Sequence, residues 1–180
     1  MDFQIKLRSF ESKILYMNGM YQLPVAPYPT TKYAHNWQVK QNPELAEADT
    51  STVMLHRMRQ LKTILQKELN EIDEITEKLE KEEYGSDIDF LTDITDLMHD
   101  LTIYCQSELA RFGVPLKETM SIIMDSNFSK LDAEGKPIIK DGKFDKGPFY
   151  WKPEPKIKEV LTQSAQEYLT NEADFNREMS

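Results

Sequence analysis

Two helix-period stretches stand almost end to end in the middle of this chain, and they restrict its possible folds more than any other feature. Over 52–82 the residues Met54, Met58, Leu61, Ile64, Leu65, Leu69, Ile72, Ile75 and Leu79 recur at the three- and four-residue intervals of one helix face. Over 87–112 the residues Leu91, Ile94, Met98, Leu101, Cys105, Leu109 and Phe112 do the same. Glu82-Glu83-Tyr84-Gly85-Ser86 interrupts them, with Gly85 the expected stop and Ser51 or Thr52 the expected N-cap of the first. Two such helices are expected to face one another inside an all-α bundle.

The flanks fit that plan. Residues 5–20 read as a helix through Leu7, Phe10, Ile14, Leu15 and Met17. Residues 21–50 carry Pro24, Pro27, Pro29 and Pro43, and read as an irregular segment whose aromatics, Tyr28, Tyr33 and Trp37, pin it to the core. Gly113 ends the second long helix, and Pro115 opens a shorter one reaching about residue 125. Beyond it, residues 126–153 form an irregular extension, in which 138–144 reads as a small hairpin turning at Asp141-Gly142. A helix over about 155–170 closes a single domain spanning 1–180, with its helical core over 5–125 and a C-terminal helix and tail over 154–180.

Composition narrows the function. The chain has 180 residues and a net charge of −9, so the basic footprint of a general nucleic-acid binder is missing. No apolar run approaches the roughly 20 residues of a membrane span, and Met1–Phe10 carries no apolar leader, so a cytoplasmic setting is expected. The lone Cys105 cannot form an internal disulfide or a thiolate zinc site.

The acid is concentrated. Between Glu68 and Asp100 there are 13 acidic residues against Lys78 and Lys81, a balance of −11, which leaves +2 for the rest of the chain. Asp73, Glu74 and Glu77 fall on an outer helix face, where acids are simply solvated. Glu68 instead falls inside the apolar arc of its helix, and Glu71 lies at the arc's edge, one turn on. A carboxylate there needs a proton, an ion-pair partner or a cation. Arg57 shares the arc but stands three turns away. On the second helix Asp93, Asp96 and Asp100 share a face, flanked by Leu97 and Tyr104. A solvated acidic face and an internal ion pair both remain open readings. If the two sets meet, they make an all-oxygen cage suited to Mg²⁺ or Mn²⁺ and hence to a phosphate-bearing substrate.

The residues also resemble a family. Glu68-Leu69-Asn70-Glu71, followed by acids on the next long helix, is similar to the E-x-x-E and E-x-x-D pattern of the all-α nucleoside triphosphate pyrophosphohydrolases, the MazG and phosphoribosyl-ATP pyrophosphohydrolase-like proteins. Arg111-Phe112-Gly113-Val114-Pro115-Leu116 resembles the turn between two of that family's helices. Met124-Asp125-Ser126-Asn127-Phe128-Ser129-Lys130-Leu131 resembles the segment that presents an Asn and a Lys to phosphates. Gly135-Lys136-Pro137-Ile138, Lys146-Gly147-Pro148, Trp151-Lys152-Pro153 and Tyr21-Gln22-Leu23-Pro24-Val25 resemble a bacterial and phage branch. The likeness covers roughly 5–155. One position departs from the pattern: Leu97 stands where the family has its E-x-x-D glutamate, and Asp96 is the nearest replacement.

The resemblance implies a MazG-like helical bundle that cleaves the α–β phosphoanhydride of a nucleotide in an Mg²⁺-dependent reaction. Glu68, Glu71, Asp96 and Asp100 would ligate the metal, with Asp93 as a further ligand or as the base that orients water beside Glu68 and Glu71. Asn127, Lys130 and Lys146 would contact phosphates. It also implies a homodimer or homotetramer. The alternative is a non-catalytic nucleotide- or metal-binding protein, or a purely structural one.

Overall fold

The structure, a computed structural model, describes residues 9–178; the expected helical turn at 5–8 lies outside the described residues. The fold is all-α apart from one hairpin. In chain order it comprises α1 (Phe10–Met20), α2 (Lys32–Gln41), a 3-10 turn (Pro43–Leu45), α3 (Thr50–Glu80), α4 (Asp87–Arg111), α5 (Leu116–Phe128), β1 (Ile139–Lys140), β2 (Lys143–Phe144) and α6 (Glu154–Glu178). Among the described residues no helix is long and apolar enough to cross a membrane. The described chain divides into two compact units. One holds the residues up to Ala26 with Thr31–Phe112, and the other holds Pro27–Thr30 with the residues from Gly113 onward.

The first unit is built on the two long helices. α3 packs along α4, while α1 lies against α4 and α2 against α3. Their starts are fixed locally. Ser9 and Ser12 form a reciprocal capping box at α1. The Asp49 carboxylate accepts from the Thr52 backbone N–H at 2.7 Å, so the cap of α3 is Asp49 rather than Ser51 or Thr52. Gly85 is not where α3 stops. Lys81 caps it, and Glu82 takes the left-handed turn at φ 55°. α4 does end at the expected glycine, with Gly113 at φ 68°.

Two readings of the sequence need correction. The 21–50 segment is not irregular throughout, since α2 occupies its proline-free centre. It buries Ala34 and Gln38, a polar side chain, so no apolar stripe announced it. The buried face of α4 is also not the one its apolar pattern marks. Leu97, Gln106, Ser107, Glu108, Ala110 and Arg111 face inward, whereas Leu91, Met98, Cys105 and Leu109 are exposed. Asn18 of α1 fixes the opposite side of that face, with its amide donating to Ser107 O at 3.1 Å and its Oδ1 accepting from Ser107 Oγ.

The second unit pairs α5 with α6 and carries the hairpin. Ile139 pairs with Phe144 and Lys140 with Lys143. Asp141 (φ 49°) and Gly142 (φ 72°) make the turn, as their Asp-Gly order foretells. α6 is longer than the expected 155–170. Gly147 is obligatory for packing: a Cβ there would sit 1.9 Å from the Leu131 carbonyl oxygen. The Ser126 hydroxyl donates to Trp151 O at 2.9 Å and ties the extension to α5. Tyr28 stacks on Tyr168 of α6 with ring centroids 4.7 Å apart.

Candidate active site

Every candidate carboxylate lies in the first unit, on α3 and α4. Along α3, Val53, Arg57, Glu68 and Ile75 are the buried positions, so Glu68 sits on the packing face itself and is only 5% exposed. Glu71, one turn on, is half-buried. Across from them α4 contributes Asp100, half-buried, and Asp96, exposed one turn earlier.

The electrostatics show that these groups are neighbours. Burial pushes the Glu71 carboxyl up, and the charges of Glu68, Glu74, Asp100 and Asp96 push it further. Burial also raises the Tyr104 phenol of α4, assisted by Glu68, Asp100 and Glu71. None of the ion pairs among the described residues involves Glu68, Glu71, Asp96 or Asp100. The internal ion pair left open for Glu68 is therefore not found among those residues.

A divalent cation fits this set in donor chemistry and in charge. The donors are carboxylate oxygens, and the repulsion raising Glu71 is what a bound cation would relieve. Fit in position is a separate matter. Among the described residues, no three His, Cys, Asp or Glu side chains are gathered closely enough to hold a metal ion. The carboxylates share a neighbourhood without closing on a common point.

Asp93 stands apart. Its Oδ2 accepts from Lys78 Nζ at 2.7 Å and from the Tyr84 hydroxyl at 2.9 Å. Lys78 first, then Tyr84, hold its carboxyl below the usual range. This side chain staples the α3–α4 connection.

A second buried charge cluster lies farther along the same face. Arg57 grips Glu108 with two hydrogen bonds, Nε to Oε1 at 2.9 Å and Nη2 to Oε2. Arg111 Nε stands 3.3 Å from the same Oε2. The Arg111 guanidinium lies over the Trp37 ring at 5.0 Å, while the indole N–H donates to Gln22 O. Burial pushes Arg111 down, the Arg57 charge adds to this, and Glu108 opposes it. Sequence reading placed Arg57 on the inner face but offered no partner for it. A cavity of about 350 Å³ runs from Asp100 and Tyr104 to this cluster, walled by residues such as Met17, Leu61 and Ile64.

The expected phosphate-contacting residues belong to the second unit. Lys130 Nζ donates to Asn127 Oδ1 at 2.8 Å, so these two are paired with each other. Lys146 Nζ lies 4.9 Å from the Tyr150 ring centroid. Lys156 covers the Trp151 ring at 3.9 Å, which fits a packing role for that aromatic.

No family model matches the chain. No curated protein matches it either. Among solved structures, the chain is similar to one described as a "putative NTP pyrophosphohydrolase", from Exiguobacterium sp. 255-15. The identity is 18%, 89% of this chain and 98% of that one are covered, and the TM-score is 0.47.

Proposed function

We propose that this protein is a nucleoside triphosphate pyrophosphohydrolase. The observation that supports this best is the set of Glu68, Glu71, Asp96 and Asp100 facing one another from α3 and α4, with no cationic side chain paired to them among the described residues. A helix pair that buries Glu68 with the Tyr104 hydroxyl but no counter-charge gives up stability, and such a cost is usual where a charge has work to do.

In this reading Glu68, Glu71, Asp96 and Asp100 would hold Mg²⁺ if their side chains drew closer than they stand here, and the ion would supply charge neutralisation for the phosphates. Glu71, half-buried at the edge of the set, would receive the proton from the attacking water. The water oxygen bonds to the α-phosphorus, the bond from that phosphorus to the bridging oxygen breaks, and pyrophosphate leaves. Asp93 is already engaged with Lys78 and Tyr84, so the water-orienting role passes from it to Glu71. Tyr104 hydrogen-bonds Glu68 at the edge of the set. Asn127, Lys130 and Lys146 are proposed as phosphate contacts on sequence resemblance alone. Leu91, Met98 and Leu109, exposed on α4, offer an apolar face for the proposed homodimer or homotetramer.

A panel of nucleoside triphosphates assayed for pyrophosphate with Mg²⁺ tests the reading. Release of pyrophosphate and monophosphate in equal amounts is expected. Orthophosphate as the sole product, or no turnover of any nucleotide, overturns it.

A further inference from the structure

α3 is packed on one side and bare on another. Val53, Arg57, Glu68 and Ile75 are its buried positions. Beside them runs a second stripe, made of Leu55, Met58, Leu65, Leu69, Ile72 and Leu79. Lys62 and Thr76 complete it, so that the set repeats in strictly alternating steps of three and four residues over 55–79. Leu65 is half-buried, and the other five apolar members are each between 39% and 50% exposed. An unbroken seven-residue apolar repeat is the seam of a coiled coil or bundle, which is satisfied only by another helix. At about 1.5 Å per residue this seam is about 36 Å long.

The residues of the stripe state which helix fits it. Leu55, Lys62, Leu69 and Thr76 occupy one of its two rows, and Met58, Leu65, Ile72 and Leu79 the other. Parallel pairing sets like rows together, so a second α3 laid parallel would bury Lys62 against Lys62. Antiparallel pairing sets opposite rows together. Leu55 then meets the partner's Leu79, Leu69 meets the partner's Leu65, Met58 meets the partner's Thr76, and Lys62 meets the partner's Ile72. No like charges are opposed. The exposed flank of the stripe carries Arg59, Gln66, Asp73 and Glu80 in sequence. In the same antiparallel register Arg59 lies opposite the partner's Asp73, twice by symmetry, and Gln66 lies opposite itself. Neither Arg59 nor Asp73 takes part in the ion pairs among the described residues. The stripe is thus complementary, in shape and in charge, to its own reverse. α4 bears a comparable exposed repeat, but its flanking Thr92, His99 and Gln106 offer no opposite charges to choose an occupant or an orientation.

We propose that a second copy of this chain docks along α3 in antiparallel orientation, about a twofold axis beside Lys67, with Arg59 paired to the partner's Asp73 at both ends. This names the surface and the orientation of the association read with the hydrolase, but it rests on the exposed repeat and not on that chemistry.

Sedimentation equilibrium of the full chain tests it, in reducing buffer because Cys105 is exposed, and without nucleotide or divalent cation. A dimer is expected, and a monomer at about 100 µM overturns the proposal. Met58→Lys, an exposed site whose change leaves the core alone, is expected to weaken the dimer about a hundredfold or more, since two buried methionines are lost. Arg59→Asp is expected to weaken it about tenfold, and adding Asp73→Arg to restore it. Leu91→Lys on α4 is expected to leave it intact. A dimer lost in Leu91→Lys but not in Met58→Lys overturns the assignment to α3. Orientation is read by oxidation in a Cys105→Ser background. Leu55→Cys chains mixed with Leu79→Cys chains are expected to form the mixed disulfide, and each alone to form none. Homodisulfides from each chain alone would make the pairing parallel and overturn the proposal. Because no nucleotide is present, dimerisation without pyrophosphate release breaks only the hydrolase reading. Pyrophosphate release from a monomer breaks only this one.

Discussion

Asp100 and Arg111 stand on one face of α4, at opposite ends of one cavity, and the charge around them is handled in opposite ways. At the Arg111 end the fold supplies opposite charges to each other: Glu108 lies between two guanidiniums, and Arg57 holds it bidentately. At the Asp100 end it gathers like charges. Glu68, Glu71 and Asp96 neighbour Asp100, and no ion pair among the described residues offsets them. Both arrangements sit on the α3–α4 seam of the same unit, and each has a fully buried member, Glu68 at one end and Glu108 at the other, although Asp96 is exposed. The difference is compensation. A mostly self-paired cluster holds helices in register, whereas an uncompensated one is waiting for charge from outside the chain.

The sharpest way to break this contrast is at Glu68. Glu68→Gln keeps the shape and removes the charge. If Glu68 holds a metal as proposed, pyrophosphate release is expected to fall by about a thousandfold or more, since loss of a ligand would forfeit several kcal/mol of transition-state stabilisation. Stability in chelator is expected to hold or rise, because a buried carboxylate with no counter-charge has become a neutral amide that can still accept from Tyr104. Urea unfolding and the pyrophosphate assay, run side by side, read the two effects. Activity unchanged in Glu68→Gln would remove the acidic end from the chemistry.

The opposite pattern is expected at Glu108. Glu108→Ala leaves Arg57 and Arg111 buried side by side with no counter-charge. Truncating one member of a buried ion pair costs about 3–5 kcal/mol, and urea midpoints at constant m-value check it. A loss near zero would mean that water satisfies both guanidiniums and that the paired end is no anchor.

How much of this could be read from residue order depends on what each residue left in the pattern. α3 and α4 were legible because their apolar intervals persist over many turns. Glu68 was legible as a violation of one such pattern. The hairpin followed from Asp141-Gly142, whose left-handed angles few other pairs tolerate. α2 was hidden because its buried side includes Gln38, which bonds to Gln60 of α3 rather than adding to an apolar stripe. α4 misled for a related reason. Its inward face is rich in polar and charged groups that satisfy one another, and its apolar face is exposed, so hydrophobicity pointed to the wrong side. Arg57 and Glu108 lie 51 residues apart, and nothing local signals their pairing. A signal did exist: Ser107, Glu108 and Arg111 continue the face that Leu97 and Tyr104 begin.

The comparison also predicts a selective response to Mg²⁺. A ligand that binds only the folded chain stabilises it by about 2.7 kcal/mol at a hundred times its dissociation constant. Thermal melts of the wild type are expected to rise with Mg²⁺ and those of Glu68→Gln to stay flat. Glu108→Ala melts low but should keep the Mg²⁺ increment, because its defect lies at the other end. Equal increments in wild type and Glu68→Gln would point to non-specific screening of the −9 net charge.

The smallest effect sets Glu71 against Asp93, two acids close together along the α3–α4 hairpin with opposite surroundings. Burial and neighbouring acids raise the folded pKa of Glu71, so its contribution to stability is fully present below the ordinary carboxylate range and is lost as pH rises through the raised value. Lys78 and Tyr84 lower that of Asp93, so its contribution is present above the ordinary range and is lost as pH falls through the lowered value. Carbon-detected NMR titration should therefore place each carboxyl on the opposite side of its own unfolded-chain value, Glu71 above and Asp93 below. Saturating Mg²⁺ should pull the Glu71 midpoint down, because a cation supplies the charge its neighbours do not, and should leave Asp93 where it is, because Lys78 already supplies it. If both midpoints moved together, the cation would be acting on the helix pair as a whole, and the separation between a paired acid and an unpaired one would have no chemical meaning here.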